Sequence, residues 1–251
     1  MRLIRPAENA RERRWALARS VAMLLVGASA IVLMALLPDE RGDGAAILGI
    51  AASLGIGVGL AWLIRAVSAN GRGRLGDDLA RMLAPAFDDS YVLILSPRLP
   101  GVRSDLAGLL VGPAGVRALI ARRWHGRYRV RGRSWQYDTR RRSGWIPCRT
   151  NPSFDADAVA ERVSTWARTA VDDTSIPIVP AVAFPQRSSV IVLEEPDGEV
   201  VTVDNAPWYA QSIGRLQRMD PARVARFVQS VMDAADALSD PAAAGAPRSV
   251  V

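Results

Sequence analysis

The chain contains no lysine, a single cysteine and a single histidine. Each shortage removes a chemistry. Without lysine there is no Schiff-base nucleophile and no lysine ammonium to polarise an attacking water. One thiol, Cys148, closes no internal disulfide, and with His125 as the lone imidazole no Cys/His group has zinc spacing. The pattern fits a reducing compartment. Cys148 stands beside Arg149, which is expected to lower its pKa, yet a thiol enzyme would need a histidine base that the sequence does not place. His125, next to Trp124, reads as a packing or surface residue, and no Ser/His/Asp arrangement surrounds it. There is no P-loop, and "GRGRLG" lacks the soluble strand that a dinucleotide turn requires before it.

What is present is arginine. All 32 basic residues of the 251 are arginines, against 25 acidic ones, for a net charge of +7. That balance favours anionic partners, either nucleic acid or the anionic leaflet of a membrane, although positive-inside topology and genomic bias account for it equally well. Apolar residues make up 49% of the chain and charged ones 23%, enough to bury a core.

Two uncharged runs, "SVAMLLVGASAIVLMALL" from Ser20 and "GAAILGIAASLGIGVGLAWLI" from Gly44, approach the roughly 20 residues that cross a hydrocarbon core. They are expected to form a transmembrane hairpin, about 15–37 and 44–66, closed by "PDERGDG". Arg2, Arg5, Arg11, Arg13, Arg14 and Arg19 precede it, and Arg65, Arg72 and Arg74 follow. The positive-inside rule then places both termini in the cytoplasm, as in a multi-pass protein of the cell membrane. "ASA" at Ala28–Ala30 resembles a signal-peptide cleavage site, but the apolar run continues beyond it, which suits a span better. Ala51, Gly55 and Gly59 share one face of the second helix and suit close contact, within the hairpin or between chains as a homo-oligomer.

The remainder, 71–238, reads as a mixed α/β domain, with 239–251 as a disordered tail. "GRLGDDLARMLAPA" (73–86) has Leu75, Leu79, Met82 and Leu83 on one side, as an amphipathic helix does. "YVLIL", "DLAGLLV" and "VRALIAR" are strands, the last two joined by a turn at "GPAG". "GRYRVRGRSWQY" (126–137) is a further strand with a bend at Gly132. A helix over 155–171 is capped by Ser153 or Asp155. "IPIVPAVAF", "SVIVLE" and "VVTVD" are strands, and "APWYAQSIGRL" and "PARVARFVQSVMDAADAL" are closing helices, with Pro221 opening the last.

Several of these pieces, in order, are similar to the nuclease-related domain family: "GDD" at Gly76–Asp78, "SDLAGLLVGPAGV", "RALIARRWHG", the pair Asn151–Pro152 and "VPAVAF". The resemblance implies a restriction-endonuclease-like fold behind the membrane hairpin. It also implies a metal site in which an Asp and a Glu hold magnesium while a Lys polarises water. Matched residue by residue, the Asp falls on Ala107, the Glu on Ile120 and the Lys on Arg122. Isoleucine has no oxygen to offer a cation, and arginine stays protonated. No metal site is therefore expected. Substitute carboxylates would have to come from Asp105, about 6–7 Å along the strand from Ala107, or from Asp77 or Asp78 on the first helix.

Arg127, Arg129, Arg131 and Arg133 alternate along the strand from Gly126, with Arg140, Arg141, Arg142 and Arg149 after it and Trp124, Tyr128, Trp135 and Tyr137 interleaved. Such a stripe neutralises phosphates and offers stacking surfaces, meets anionic lipid headgroups, or is simply a solvated edge strand that prevents sheet association. The expected function is that of a membrane-anchored, non-catalytic module that uses no cofactor and binds nucleic acid, anionic lipid headgroups or a protein partner. The alternative is a membrane-tethered, magnesium-dependent nuclease with a displaced carboxylate site.

Overall fold

A computed structural model describes residues 1–5, 8–36, 42–102, 105–139, 144–171, 173, 175–216 and 219–239. The chain divides into two units, Ala7–Gly73 and Met1–Pro6 with Arg74–Val251.

The smaller unit holds helix α1 (Glu8–Leu36) and most of helix α2 (Gly42–Leu83). They pack antiparallel through small residues. The buried Ser20 hydroxyl donates to the Gly59 carbonyl at 3.0 Å, and a Cβ on Gly55 would meet the Gly27 backbone at 2.9 Å. Gly59 lies against Leu24 in the same way, so the glycine face read from the sequence is used inside the hairpin. Among the described residues no helix is long and apolar enough to cross a membrane. The expected transmembrane hairpin and its multi-pass placement with cytoplasmic termini are corrected accordingly. The physical reason lies in the same small residues. Gly27, Gly55 and Gly59 let the two helices approach, and together with Ser29, Ser53 and Gly57 they interrupt the apolar runs with small or polar residues. In addition, α1 spends its first turns on the charged segment 8–19, and α2 runs on without a break through Arg65, Arg74 and Asp77. Large apolar side chains, among them Leu25, Leu36, Leu54 and Ile64, remain exposed on both helices, a surface that calls for apolar cover.

The larger unit is mixed α/β with two sheets. The first has the order β1-β2-β3-β4-β8-β10: Arg2–Ile4, Val92–Leu95, Leu106–Gly112, Gly115–Ala121, Ile178–Phe184 and Glu199–Thr202. β2, β3 and β4 form an antiparallel meander. Helix α3 (Pro152–Ala170) then carries the chain across to β8, which lies parallel to β4, and β10 lies parallel to β8. β3 and β4 read as nearly unbroken apolar runs because the sheet is covered on both faces. Over one face lie Leu109, Val116, Ala118, Ile120, Val182 and Phe184 with Val163 of α3 and Phe227 of α5 (Pro221–Ser239). Over the other lie Leu93, Leu110, Leu119 and Ala183 with Leu79 and Leu83 at the end of α2 and Ile213 of α4 (Ala206–Gly214). The β3–β4 turn depends on Gly115, whose φ of 103° disfavours any side chain.

The second sheet has the order β7-β6-β5-β9: Trp145–Pro147, Ser134–Asp138, Gly126–Gly132 and Ser189–Pro196. Its inner face joins the first core cluster through Val130 and Trp135, with Ile191 and Leu193 packed against it. The single strand expected over 126–137 is instead a hairpin of β5 and β6. Gly132, at φ 55°, reverses the chain before Ser134. The cap of α3 also differs from expectation. The Asn151 side chain accepts from the Ser153 amide at 3.0 Å, and Pro152 opens the helix. The expected tail falls outside the described residues from 240 onward.

Candidate functional site

The three positions that would carry nuclease chemistry are not gathered on one face. The β3–β4 register slips between Leu106 and Gly108, so Ala107 sits in a bulge. Leu106 pairs with Ile120, and both belong to the cluster facing α3. Ala107 packs instead against the cluster facing α2. Ile120 is wholly buried among hydrocarbon. Arg122 donates to Asp155 of α3 at 2.5 Å. Its neighbour Arg123 turns the other way and meets Asp78 at 3.4 Å.

The substitute carboxylates are dispersed as well. Asp78 accepts from Arg81, Arg123 and Gln186. Asp77 pairs with Arg5 at 2.8 Å. Asp105 stands exposed just before β3. Among the described residues no three of His, Cys, Asp or Glu come together to hold a metal ion. The side chains at Ala107, Ile120 and Arg122 do not fit magnesium, which takes hard oxygen ligands.

The basic stripe resolves differently. β5 is an interior strand, flanked by β6 and β9, and so is not the solvated edge that one reading proposed. Its alternation divides it cleanly. Val130 is buried with Trp135, while Arg127, Arg129 and Arg131 share the outer face. The aromatics read as interleaved with them lie on the inner side. Trp124 packs at 4.6 Å from Tyr128, 5.5 Å from Trp135 and 5.5 Å from Phe184, measured between ring centroids. Trp135 is buried and Trp124 and Tyr128 are partly buried beside it, whereas Tyr137 stays exposed; burial pushes the Tyr128 hydroxyl pKa up.

The aromatic that does accompany the arginines is Trp145 of β7, which the sequence pattern did not mark. The guanidinium carbons of Arg127 and Arg129 lie 5.6 Å and 4.7 Å from its ring centre. Arg129 also donates to the Gln136 side-chain oxygen through Nε at 3.2 Å and Nη2 at 2.5 Å. Arg133 leaves the row at the hairpin turn, where it pairs with Asp157 of α3 and lies 5.4 Å from the Phe154 ring. The Asn151 amide fixes that turn by donating to the Arg133 carbonyl at 2.9 Å. Arg140, Arg141 and Arg142 lie outside the described residues, and Arg149 is exposed.

Cys148 is half-buried under the second sheet, and burial raises its thiol pKa, opposite to the direction expected from Arg149. A raised pKa leaves less thiolate and a less reactive thiol.

The most deeply buried charge lies elsewhere. Arg117 of β4 is 2% exposed and holds Glu199 of β10 through Nε at 3.3 Å and Nη2 at 3.2 Å. The Tyr209 hydroxyl donates to the same carboxylate at 2.5 Å. Burial, reinforced by that carboxylate, holds the Tyr209 pKa well above its ordinary value. The group joins β4, β10 and α4 and acts as a structural tie.

No protein-family model, curated protein or solved structure matches the chain, so the resemblance to the nuclease-related domain family rests on the quoted residues alone.

Proposed function

We propose that this chain is a non-catalytic module that binds a linear, phosphate-bearing polyanion on the outer face of its second sheet. One observation carries the reading. Arg127, Arg129 and Arg131 project in a row from a strand whose opposite face is locked into the core. Residues two apart on a strand repeat at about 6.6 Å, so the row presents cations along a line and not around a point. The carboxylate positions of a nuclease are filled by an alanine in a bulge and an isoleucine in the core, which leaves binding without cleavage.

The test is binding of labelled oligonucleotide and inorganic polyphosphate to the full chain, compared with an R127S/R129S/R131S variant. Loss of at least tenfold affinity, with unchanged thermal unfolding, is expected. Equal affinity of variant and parent would remove the reading. Strand cleavage in magnesium or manganese that is abolished by Asp105→Ala or Asp77→Ala would replace it with the nuclease alternative.

A further inference from the structure

The charges beside the arginine row are as informative as the row itself. On one side Asp138 of β6 lies 4.0 Å from Arg127. On the other, Glu194 of β9 lies 3.7 Å from Arg129. The cationic line is therefore bordered by a carboxylate on each side. A single file of phosphates over the guanidinium groups meets these acids only at the borders of the row, where it competes with them for Arg127 and Arg129. A duplex, with two rigid phosphate lines, or a plane of lipid headgroups would be pressed against carboxylates, and like charges brought together oppose binding.

The row is also preorganised at its centre. Arg129 is held by the Trp145 ring on one side and by Gln136 on another, so little side-chain freedom remains to be lost on binding. Trp145 is half-buried on a short strand at the sheet edge, and Arg127 and Arg129 lie over the same ring. Guanidinium planes and indole rings are both surfaces on which unpaired bases stack. Strands lie about 4.8 Å apart, so the face from β7 to β9 is about 14 Å across. That is wide enough for one strand of nucleic acid with its bases turned toward Trp145.

We infer that this face takes single-stranded nucleic acid, with phosphates on Arg127, Arg129 and Arg131 and bases stacked on the Trp145–Arg129 pile, while Asp138 and Glu194 exclude duplexes and membrane surfaces. The inference rests on the polyanion reading above and narrows it to one ligand class.

The experiment uses the full chain and four probes: a dT12 oligonucleotide, a duplex of the same length, inorganic polyphosphate, and vesicles containing phosphatidylglycerol. Binding to dT12 is expected to be at least tenfold tighter than to the duplex or the vesicles. Trp145→Ala should weaken dT12 binding roughly tenfold, while polyphosphate binding stays within twofold. Trp145→Phe should restore most of the loss, which separates stacking from damage to the sheet. D138N/E194Q should raise affinity for the duplex and the vesicles more than for dT12. A silent Trp145→Ala, or duplex or vesicles bound as tightly as dT12, overturns the inference. If Arg129→Ser abolishes polyphosphate binding while Trp145→Ala is silent, only the single-strand inference falls. If Arg129→Ser is silent toward every probe, the polyanion reading falls with it.

Discussion

Removing Glu199 would test how the larger unit is held together. Arg117 is buried and ion-paired to Glu199, whose own side chain is 24% exposed. In a Glu199→Ala variant the guanidinium keeps, among the described residues, the Ala114 carbonyl and the Tyr209 hydroxyl oxygen but no carboxylate, and the Tyr209 hydroxyl loses the acceptor it donates to. Breaking a buried pair from one side costs about 3–5 kcal/mol, because the remaining charge is left uncompensated. The partial exposure of Glu199 lets water reach the vacated space, which puts the expected loss at the lower end, about 3 kcal/mol. With a urea slope of about 2–3 kcal/mol per molar, the midpoint should fall by about 1–1.5 M. Urea unfolding followed by tryptophan fluorescence reads this directly, since Trp124, Trp135 and Trp166 pack in the same unit. Replacing the whole group, as R117M/E199M/Y209F, should recover most of the loss, because no charge is then left buried. A midpoint fall below about 0.3 M for Glu199→Ala would refute the reasoning, as would a triple variant no more stable than the single one.

Further outcomes follow from other sites. Ile120→Glu should destabilise by several kcal/mol, because it places a carboxyl where no described partner waits, and it should confer no magnesium-dependent cleavage. Burial raises that carboxyl's folded pKa above its unfolded value, so the cost should be smallest in acid and grow as pH rises; thermal melts from pH 4 to 8 would show a cost independent of pH if the site were wet. Asp173 is held at a pKa of about 2 by hydrogen bonds from Ser175 and Arg223. Its contribution is therefore complete above its unfolded value of 3.8 and lost as pH falls toward about 2. Asp173→Asn should flatten acid unfolding in that window, and an unchanged acid limb would contradict the assignment. Gly112→Ala would place a methyl 2.2 Å from the Tyr91 ring, and such overpacking is expected to cost about 1–3 kcal/mol in urea unfolding.

Strands and helices with strong periodicity were legible in the sequence. β3, β4 and their turn follow from two apolar runs around "GPAG", and α5 follows from Asp220–Pro221 and its apolar face, with Asp220 accepting from the Arg223 amide at 2.8 Å. β1 and β7 were not legible, because three residues are too few to show a period; β1 is moreover placed by a distant partner, β2, and β7 by its register on β6. The same limit concealed Trp145, whose place beside the arginines is fixed by its register opposite Asp138. The bulge at Ala107 was equally hidden. One inserted residue turns a side chain to the other face of a sheet, and the sequence "LAGLL" does not declare where the ladder slips. The apolar runs of the hairpin were misread for a related reason. Length, absence of charge and the shared face of Gly55 and Gly59 were visible, but the residues that meet that face, Leu24 and Gly27, appear only in the fold.

The salt dependence of dT12 binding tests the central claim most directly. A ligand with its phosphates on Arg127, Arg129 and Arg131 should give a slope of about −2 for log affinity against log salt, and each single arginine-to-serine change should make it shallower by about 0.7. A slope that none of the three substitutions alters would place the ligand elsewhere and contradict the account.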